Sequence, residues 1–183
     1  MENKYLTDMN GNILRRRMAG GKDEGLTFKV EHPNYLMFNI TTTGSGWWEW
    51  VFYGERPIKY FLDGEEKIGS SWMRYGDVYG QIFVPGGSHS IWVLPEVWSN
   101  ASNVVRPGGA WNGSCYVGNY VRQFHTKDNA ITTLYVNKTT PPSAPSKNNY
   151  KKLEHIYVPH EAVSAYKSAW TAWAGIIEGI TFK

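Results

Sequence analysis

The 183-residue sequence has little of several features that define common protein classes. Its single cysteine, Cys115, excludes a framework of internal disulfides and leaves the redox compartment open. No apolar run approaches the ~20 residues that a membrane-spanning helix needs. The formal net charge of +3 is mild and spread along the chain, so it does not indicate nucleic-acid binding. The opening residues, MENKYLTDMNGNI, lack the apolar segment of a secretory signal, and we expect the protein to reach its site without secretion.

Catalytic and metal-binding spacings are missing as well. The five histidines have no ligand spacing such as HExxH, and Cys115 does not lie in a nucleophile elbow. Asp63, Glu65 and Glu66 crowd one turn, and grouped carboxylates can act as acid and base or bind calcium. Asp-Gly is also the strongest hairpin-turn signal, which favours a structural role with the glutamates at a solvated edge. The sequence therefore predicts no enzyme, no cofactor and no metal site; a hydrolase using these carboxylates is the weakest hypothesis.

Aromatic and turn-forming residues are abundant instead. Aromatics make up 15% of the chain, with nine Trp and twelve Tyr, and there are 19 glycines. Long amphipathic helices are absent before residue 160. This combination predicts a mainly β fold, with an antiparallel β-sandwich over residues 26–129.

Alternating apolar residues locate the strands of this body. Strands are expected at residues 26–30, 35–41, 47–53 and 116–124, and residues 99–129 otherwise look irregular. The clearest hairpin joins residues 58–62 to 65–68 through Asp63-Gly64, and a second joins residues 80–84 to 88–94 through Pro85-Gly86-Gly87. The order of an aromatic strand, IKYFLDGE and GQIFVPGGSHSIWVLPE resembles PKD-like, immunoglobulin-type sandwiches. The aspartate-rich turn of that family is reduced here to Asp63-Gly64-Glu65.

The C-terminal part has a different pattern. ITTLYV at residues 131–136 and the later run LEHIYVP are about one solenoid repeat apart, and neither can bury its apolar positions alone. Pro159 ends the second run, and a short helix follows with Lys167 and Ser168 on its polar side. Residues at helical spacing give its apolar face: Ala162, Val163, Tyr166 and Trp170. Aromatic residues predicted to pack between this helix and its strands are Tyr157, Tyr166, Trp170 and Trp173.

The series Leu-Tyr-Val, Thr-Thr-Pro-Pro, Ile-Tyr-Val-Pro, Ala-Tyr-Lys and Trp resembles the last coils of BspA-like leucine-rich repeat proteins of Bacteroidetes and their phages. The resemblance covers residues 130–183 and implies a small α/β cap, with residues 137–152 as an exposed connector. It also implies a non-enzymatic surface or adhesion role. A long repeat array is missing, so no extended concave binding face is implied.

Residues 1–25 are predicted to form an anchoring arm. Residues 5–7 and 13–14 flank an Asn-Gly turn signal, and a polar, glycine-containing linker follows. An isolated hairpin is marginal in water, so its apolar side needs a covering surface. The residues assigned to anchoring are Tyr5, Leu6, Ile13, Leu14, Arg15, Arg16 and Arg17.

Two tryptophans are candidates for ligand contact. Trp98 and Trp111 lie in a stretch rich in Gly, Asn and Ser, where core and contact roles are equally compatible with the sequence. Exposed aromatic rings stack on sugar faces, which suggests a glycan of a host surface as ligand.

These observations predict a non-enzymatic structural or adhesive protein on an assembled surface, most simply a phage virion component of the capsid-decoration or head-fibre type. Its partners would be other virion or surface proteins, reached through the arm, or further copies of itself. The alternative is a carbohydrate-binding module at a bacterial cell surface.

Overall fold

The computed structural model describes residues 6–7, 13–14, 27–28, 30, 36–52, 58–74, 77–93, 101–105, 111–118, 124–126 and 131–183. Within these ranges, side chains are described at residues 27–28, 30, 36–46, 60–70, 81–92, 112–118 and 131–183.

The described chain is mainly β, as predicted. In chain order the strands are β1 (Leu6–Thr7), β2 (Ile13–Leu14), β3 (Thr27–Phe28), β4 (Leu36–Thr42), β5 (Gly46–Phe52), β6 (Ile58–Leu62), β7 (Glu65–Arg74), β8 (Asp77–Val84), β9 (Gly87–Val93), β10 (Ala101–Val105), β11 (Trp111–Val117), β12 (Phe124–Thr126), β13 (Ile131–Val136), β14 (His155–Pro159) and β15 (Ile177–Phe182). One α-helix, α1 (Val163–Ala169), lies between two 3₁₀ segments, His160–Ala162 and Thr171–Ile176.

Thirteen strands form one hydrogen-bonded sheet in the order β12-β10-β5-β8-β7-β6-β9-β4-β11-β13-β14-β15-β3. The pairs in the middle of the sheet, such as β9 with β4 and β4 with β11, are antiparallel. At one end of the sheet the pairing is parallel, in the order β11-β13-β14-β15-β3. At the other end β10 and β12 also pair in parallel. The sheet is therefore mixed and not purely antiparallel. β1 and β2 form a separate two-stranded sheet.

The predicted hairpin around Asp63-Gly64 is confirmed. Asp63 has φ 53° and Gly64 φ 86°, the positive values that an Asp-Gly hairpin turn requires. β7 extends beyond the predicted strand: its first half pairs with β6 and its second half with β8. At the changeover, a Cβ on Gly69 would lie 2.6 Å from the carbonyl oxygen of Gln81, so only glycine allows β8 to come this close.

The second predicted hairpin is wrong. β8 and β9 do not pair, because the β6–β7 hairpin lies between them in the sheet. Ile82 and Val84 near the end of β8 instead share a core cluster with Leu62 and Ile91. The segment at Pro85-Gly86 thus connects two strands that are not neighbours in the sheet. The strand predicted at residues 116–124 is also wrong, since β11 ends at Val117 and β12 begins at Phe124.

The main core lies on one face of the sheet and beneath α1. It includes Phe38 and Ile40 of β4, Ile156 and Val158 of β14, and the helix residue Tyr166, all at most 1% exposed. The residues predicted as the apolar helix face are in this cluster or packed against it, which confirms that face: Ala162, Val163, Tyr166 and Trp170.

The opposite face carries a cross-strand row of large side chains. Pairing across six adjacent strands aligns Phe61, Trp92, Met37, Tyr116, Tyr135 and Tyr157. Phe28 of β3 covers part of this row, with its ring centroid 4.2 Å from that of Tyr135. Tyr157 therefore faces away from α1, because alternate residues of a strand point to opposite faces. Its predicted packing under the helix is corrected, and the predicted packing of Tyr166, Trp170 and Trp173 is confirmed.

The sheet continues through the predicted boundary at residue 130. β11 pairs with β13, and β3 at the start of the predicted body pairs with β15 at the end of the predicted cap. The three-part division of the chain stays a prediction about folding units.

Candidate functional site

The tryptophans predicted to contact a glycan are only partly placed. Trp98 lies outside the described residues. Trp111 is the first residue of β11 and pairs with Thr42 of β4, but its side chain lies outside the described part. Their role in ligand contact stays a prediction.

The anchoring residues are placed in part. Leu6 pairs with Leu14 and Thr7 with Ile13, which confirms a hairpin. This register leaves residues 8–12 between the paired positions, more than the two-residue Asn-Gly turn that the sequence suggested. The remaining anchoring candidates lie outside the described residues: Tyr5, Arg15, Arg16 and Arg17.

The carboxylates near the β6–β7 turn have structural contacts. Asp63 Oδ1 accepts the Ser90 N–H at 2.8 Å, and Asp63 Oδ2 lies 2.7 Å from His89 Nδ1. Glu65 pairs with Lys67 at 3.0 Å. The Asp63 side chain thus ties the turn to the neighbouring strand β9. Among the described residues, no three His, Cys, Asp or Glu side chains are grouped so as to hold a metal ion.

Cys115 is fully buried in β11. Its thiol lies 3.8 Å from the carbonyl oxygen of Tyr116, and burial raises the thiol pKa well above its usual range. Nucleophilic cysteine chemistry depends on the thiolate, so this position is that of a packed core residue.

A half-open polar cleft of about 380 Å³ lies where three adjacent parallel strands end. Among the described residues, Asn137 and Thr139 line it after β13, His160 and Glu161 after β14, and Phe182 at the end of β15. The carboxyl ends of parallel strands share one sheet edge, which brings these segments together although they are far apart in sequence. Sequence analysis missed this cleft. The sequence signal that could have indicated it is the polar pair His160-Glu161, which directly follows Pro159 at the end of a strand.

Two walls of the cleft are held by defined contacts. The Asn137 backbone N–H donates to the Val117 carbonyl oxygen at 3.1 Å, and its side-chain amide donates to the Tyr116 hydroxyl at 2.9 Å. That amide therefore presents its carbonyl oxygen as the remaining acceptor. On the other wall, a Cβ on Gly179 would lie 2.5 Å from His160 Nδ1, so glycine lets the imidazole approach the backbone of β15.

The hydroxyl of Tyr116 beneath this wall is strongly shielded. Burial raises the pKa of Tyr116 to about 12, and the hydrogen bond from Asn137 acts in the opposite direction. Burial likewise raises the pKa of Tyr157, with the nearby Glu178 carboxylate adding to the effect. These phenols stay neutral in ordinary conditions and serve as packing and hydrogen-bonding groups.

Comparison with protein families, with curated proteins and with solved structures found no match to this chain. In the described part of the chain, no helix is long and apolar enough to cross a membrane.

Proposed function

We propose that this protein is a non-enzymatic structural protein displayed on an assembled surface, a phage virion component of the capsid-decoration or head-fibre type, anchored by its N-terminal hairpin. One observation carries the proposal: among the described strands, β1 and β2 pair only with each other, while β3 to β15 form a single sheet. A two-stranded hairpin is marginal in water, so a further surface must cover its apolar side.

Within the described sheet, backbone hydrogen bonds join residues 28–30 to the C-terminal residue. The Val30 N–H donates to the Lys183 carbonyl oxygen at 2.5 Å, and the Lys183 N–H donates to the Phe28 carbonyl oxygen at 2.9 Å. Phe28 is fully buried beside these bonds. Residues 1–22 take no part in these bonds or in the pairing of β3 with β15, as an anchoring role requires.

The register of the C-terminal strands supports a repeat-like cap over residues 130–183. Tyr135 pairs with Tyr157, 22 positions later, and Ile156 pairs with Ile177, 21 positions later. Leucine-rich repeats recur every ~20–29 residues, with one strand and one helical segment per repeat. Ile82 of β8 and Ile91 of β9 share a core cluster although their strands are not neighbours in the sheet, which supports a sandwich-like interpretation of residues 26–129.

Deletion of residues 1–22 tests the anchoring role. Tagged full-length and truncated chains are expressed where the virions assemble, and the virions are then purified. The full chain should be present in the virions. The truncated chain should be soluble and folded but absent from them. Thermal unfolding followed by circular dichroism gives the folding control, and quantitative mass spectrometry of the particles gives the occupancy.

A truncated chain that incorporates at full occupancy would contradict the anchoring role. A truncated chain that unfolds would show that the hairpin belongs to the core. Sedimentation of the free full chain separates anchoring to a partner, which leaves it monomeric, from anchoring to copies of itself. A glycan array tests the alternative, a carbohydrate-binding module at a bacterial surface, and binding through Trp111 would favour it.

A further inference from the structure

We propose that the cleft at the carboxyl ends of β13, β14 and β15 binds one neutral sugar unit, such as the terminal residue of a glycan. The proposal does not depend on the anchoring hairpin. The cleft volume of about 380 Å³ falls within the ~300–1,000 Å³ of small-molecule sites.

The cleft offers polar groups that the fold leaves unused. Thr139, His160, Glu161 and Thr181 have no side-chain hydrogen bond in the described part of the chain. Two hydroxyls and an imidazole can donate or accept, and the carboxylate accepts. Sugar hydroxyls both donate and accept, so a mixed set of this kind fits a polyol better than a ligand of one hydrogen-bonding type.

The acceptor on the other wall is already oriented. The bond to Val117 holds the backbone of Asn137, and the bond to the Tyr116 hydroxyl orients its side-chain amide, so the amide carbonyl oxygen needs little reordering to accept a ligand hydroxyl. Groups held in place before binding lower the entropic cost of association.

An apolar wall completes the cleft. Phe182 is half-buried and held edge-on by two aromatic neighbours, with ring centroids 6.0 Å from Phe28 and 5.9 Å from Tyr116. Pro159 and Ile180 continue this wall. Such a surface suits the C–H face of a sugar ring, while the polar groups opposite it bind the hydroxyls.

The charge of the cleft selects against anions. Its described lining contains no Lys or Arg, and the carboxylate of Glu161 is exposed. A phosphate or a sugar acid would be repelled by Glu161 and would find no Lys or Arg in the described lining. A neutral hexose, deoxyhexose or N-acetylhexosamine has no such cost.

The test is a titration of the isotope-labelled full chain, followed by backbone amide NMR. The probes are galactose, glucose, mannose, fucose and N-acetylglucosamine, with inorganic phosphate and glucuronate as anionic arms. We expect at least one neutral sugar to bind with a Kd on the order of 1 mM, as befits a single small ring. The largest shifts should occur at the amides of Asn137, Thr139, His160, Glu161 and Thr181.

Two variants define the site. Glu161→Gln should weaken binding about tenfold, because a charged acceptor is replaced by a neutral amide oxygen, and Thr181→Val about fivefold, because it removes a hydroxyl that binds the ligand. Glu154→Gln is the matched control, because Glu154 is also exposed and lies outside the described lining of the cleft. Its affinity should equal that of the unaltered chain. The amide spectrum of each variant verifies that it is folded.

Any of four results would overturn the proposal: no shifts with any neutral sugar on the order of 10 mM, shifts centred elsewhere, unchanged affinity in both cleft variants, or phosphate or glucuronate binding at the cleft amides of the unaltered chain with a lower Kd than any neutral sugar. None of these results bears on the anchoring role, since residues 1–22 are unchanged throughout.

Discussion

The indole N–H of Trp170 donates a 2.8 Å hydrogen bond to the carbonyl oxygen of Pro142. Trp173 repeats the contact with Pro145 at 2.9 Å. Both donors and both acceptors are three positions apart, which matches the three residues per turn of a 3₁₀ helix and of polyproline-type chain. The segment predicted to be an exposed connector is thus fixed to the last helical turn, and Lys147 lies 5.5 Å from the ring centroid of Trp173.

This contact predicts a large effect of truncating Trp170, which is 3% exposed. Trp170→Ala should lower the free energy of unfolding by about 3–5 kcal/mol, through lost burial and a cavity. Trp170→Phe keeps a ring but leaves the Pro142 carbonyl without its donor, and should cost about 1–3 kcal/mol. Urea unfolding followed by circular dichroism measures both.

Lys167→Ala is the control on the exposed side of α1 and should change stability by less than about 0.5 kcal/mol. Equal midpoints for Trp170→Ala and Lys167→Ala would show that the tryptophan is not part of the core.

Two buried tyrosines provide a second comparison. The Tyr166 hydroxyl is buried and has no hydrogen-bond partner among the described residues, whereas the Tyr116 hydroxyl accepts the amide N–H of Asn137. Tyr166→Phe removes an unsatisfied polar group and should be neutral or stabilising by up to about 1 kcal/mol. Tyr116→Phe should cost about 1–2 kcal/mol because it leaves Asn137 without this acceptor. The opposite order of the two unfolding midpoints would contradict these assignments.

Local sequence signals located the elements that depend on neighbouring residues. The Asp63-Gly64 turn was predictable because only a few residues adopt positive φ at both central positions. The helix after Pro159 was predictable because its apolar residues recur at helical spacing and its start follows a strand-ending proline.

Long-range pairing was not predictable in the same way. Pro85-Gly86 has the composition of a hairpin turn, and nothing local to it indicates that the β6–β7 hairpin occupies the place between β8 and β9. The candidate cleft depends on the same kind of information. Asn137, His160 and Thr181 meet only because parallel pairing aligns the ends of three strands.

The shielded tyrosines predict instability at high pH. Burial raises the pKa of Tyr116 to about 12, and it also raises the pKa of Tyr135 and Tyr166. An unfolded tyrosine ionises near pH ~10, so the folded chain holds these protons more tightly than the unfolded chain above that pH. The stabilisation is complete below pH ~10 and is lost as the pH rises toward about 12, at about 1.4 kcal/mol per pH unit for each group.

Urea midpoints measured between pH ~9 and ~12 should therefore fall steadily above pH ~10. Tyr116→Phe should reduce the slope, because the variant has one shielded phenol fewer. A tyrosinate signal that is lost in Tyr116→Phe and that develops in the unaltered chain well before the loss of structure would contradict the predicted shielding.

Two glycines near the C-terminus test how closely the cleft wall is packed. A Cβ on Gly179 would lie 2.5 Å from His160 Nδ1 and 3.2 Å from His160 Cα, so a side-chain rotation alone does not relieve the clash. Gly179→Ala should therefore cost about 1–3 kcal/mol. Gly175 has open space around its Cβ position and lies in a 3₁₀ segment, so Gly175→Ala should be neutral or stabilise by up to about 1 kcal/mol. Thermal unfolding of the two variants side by side measures the difference, and a Gly179→Ala variant as stable as Gly175→Ala would show that His160 does not lie against β15.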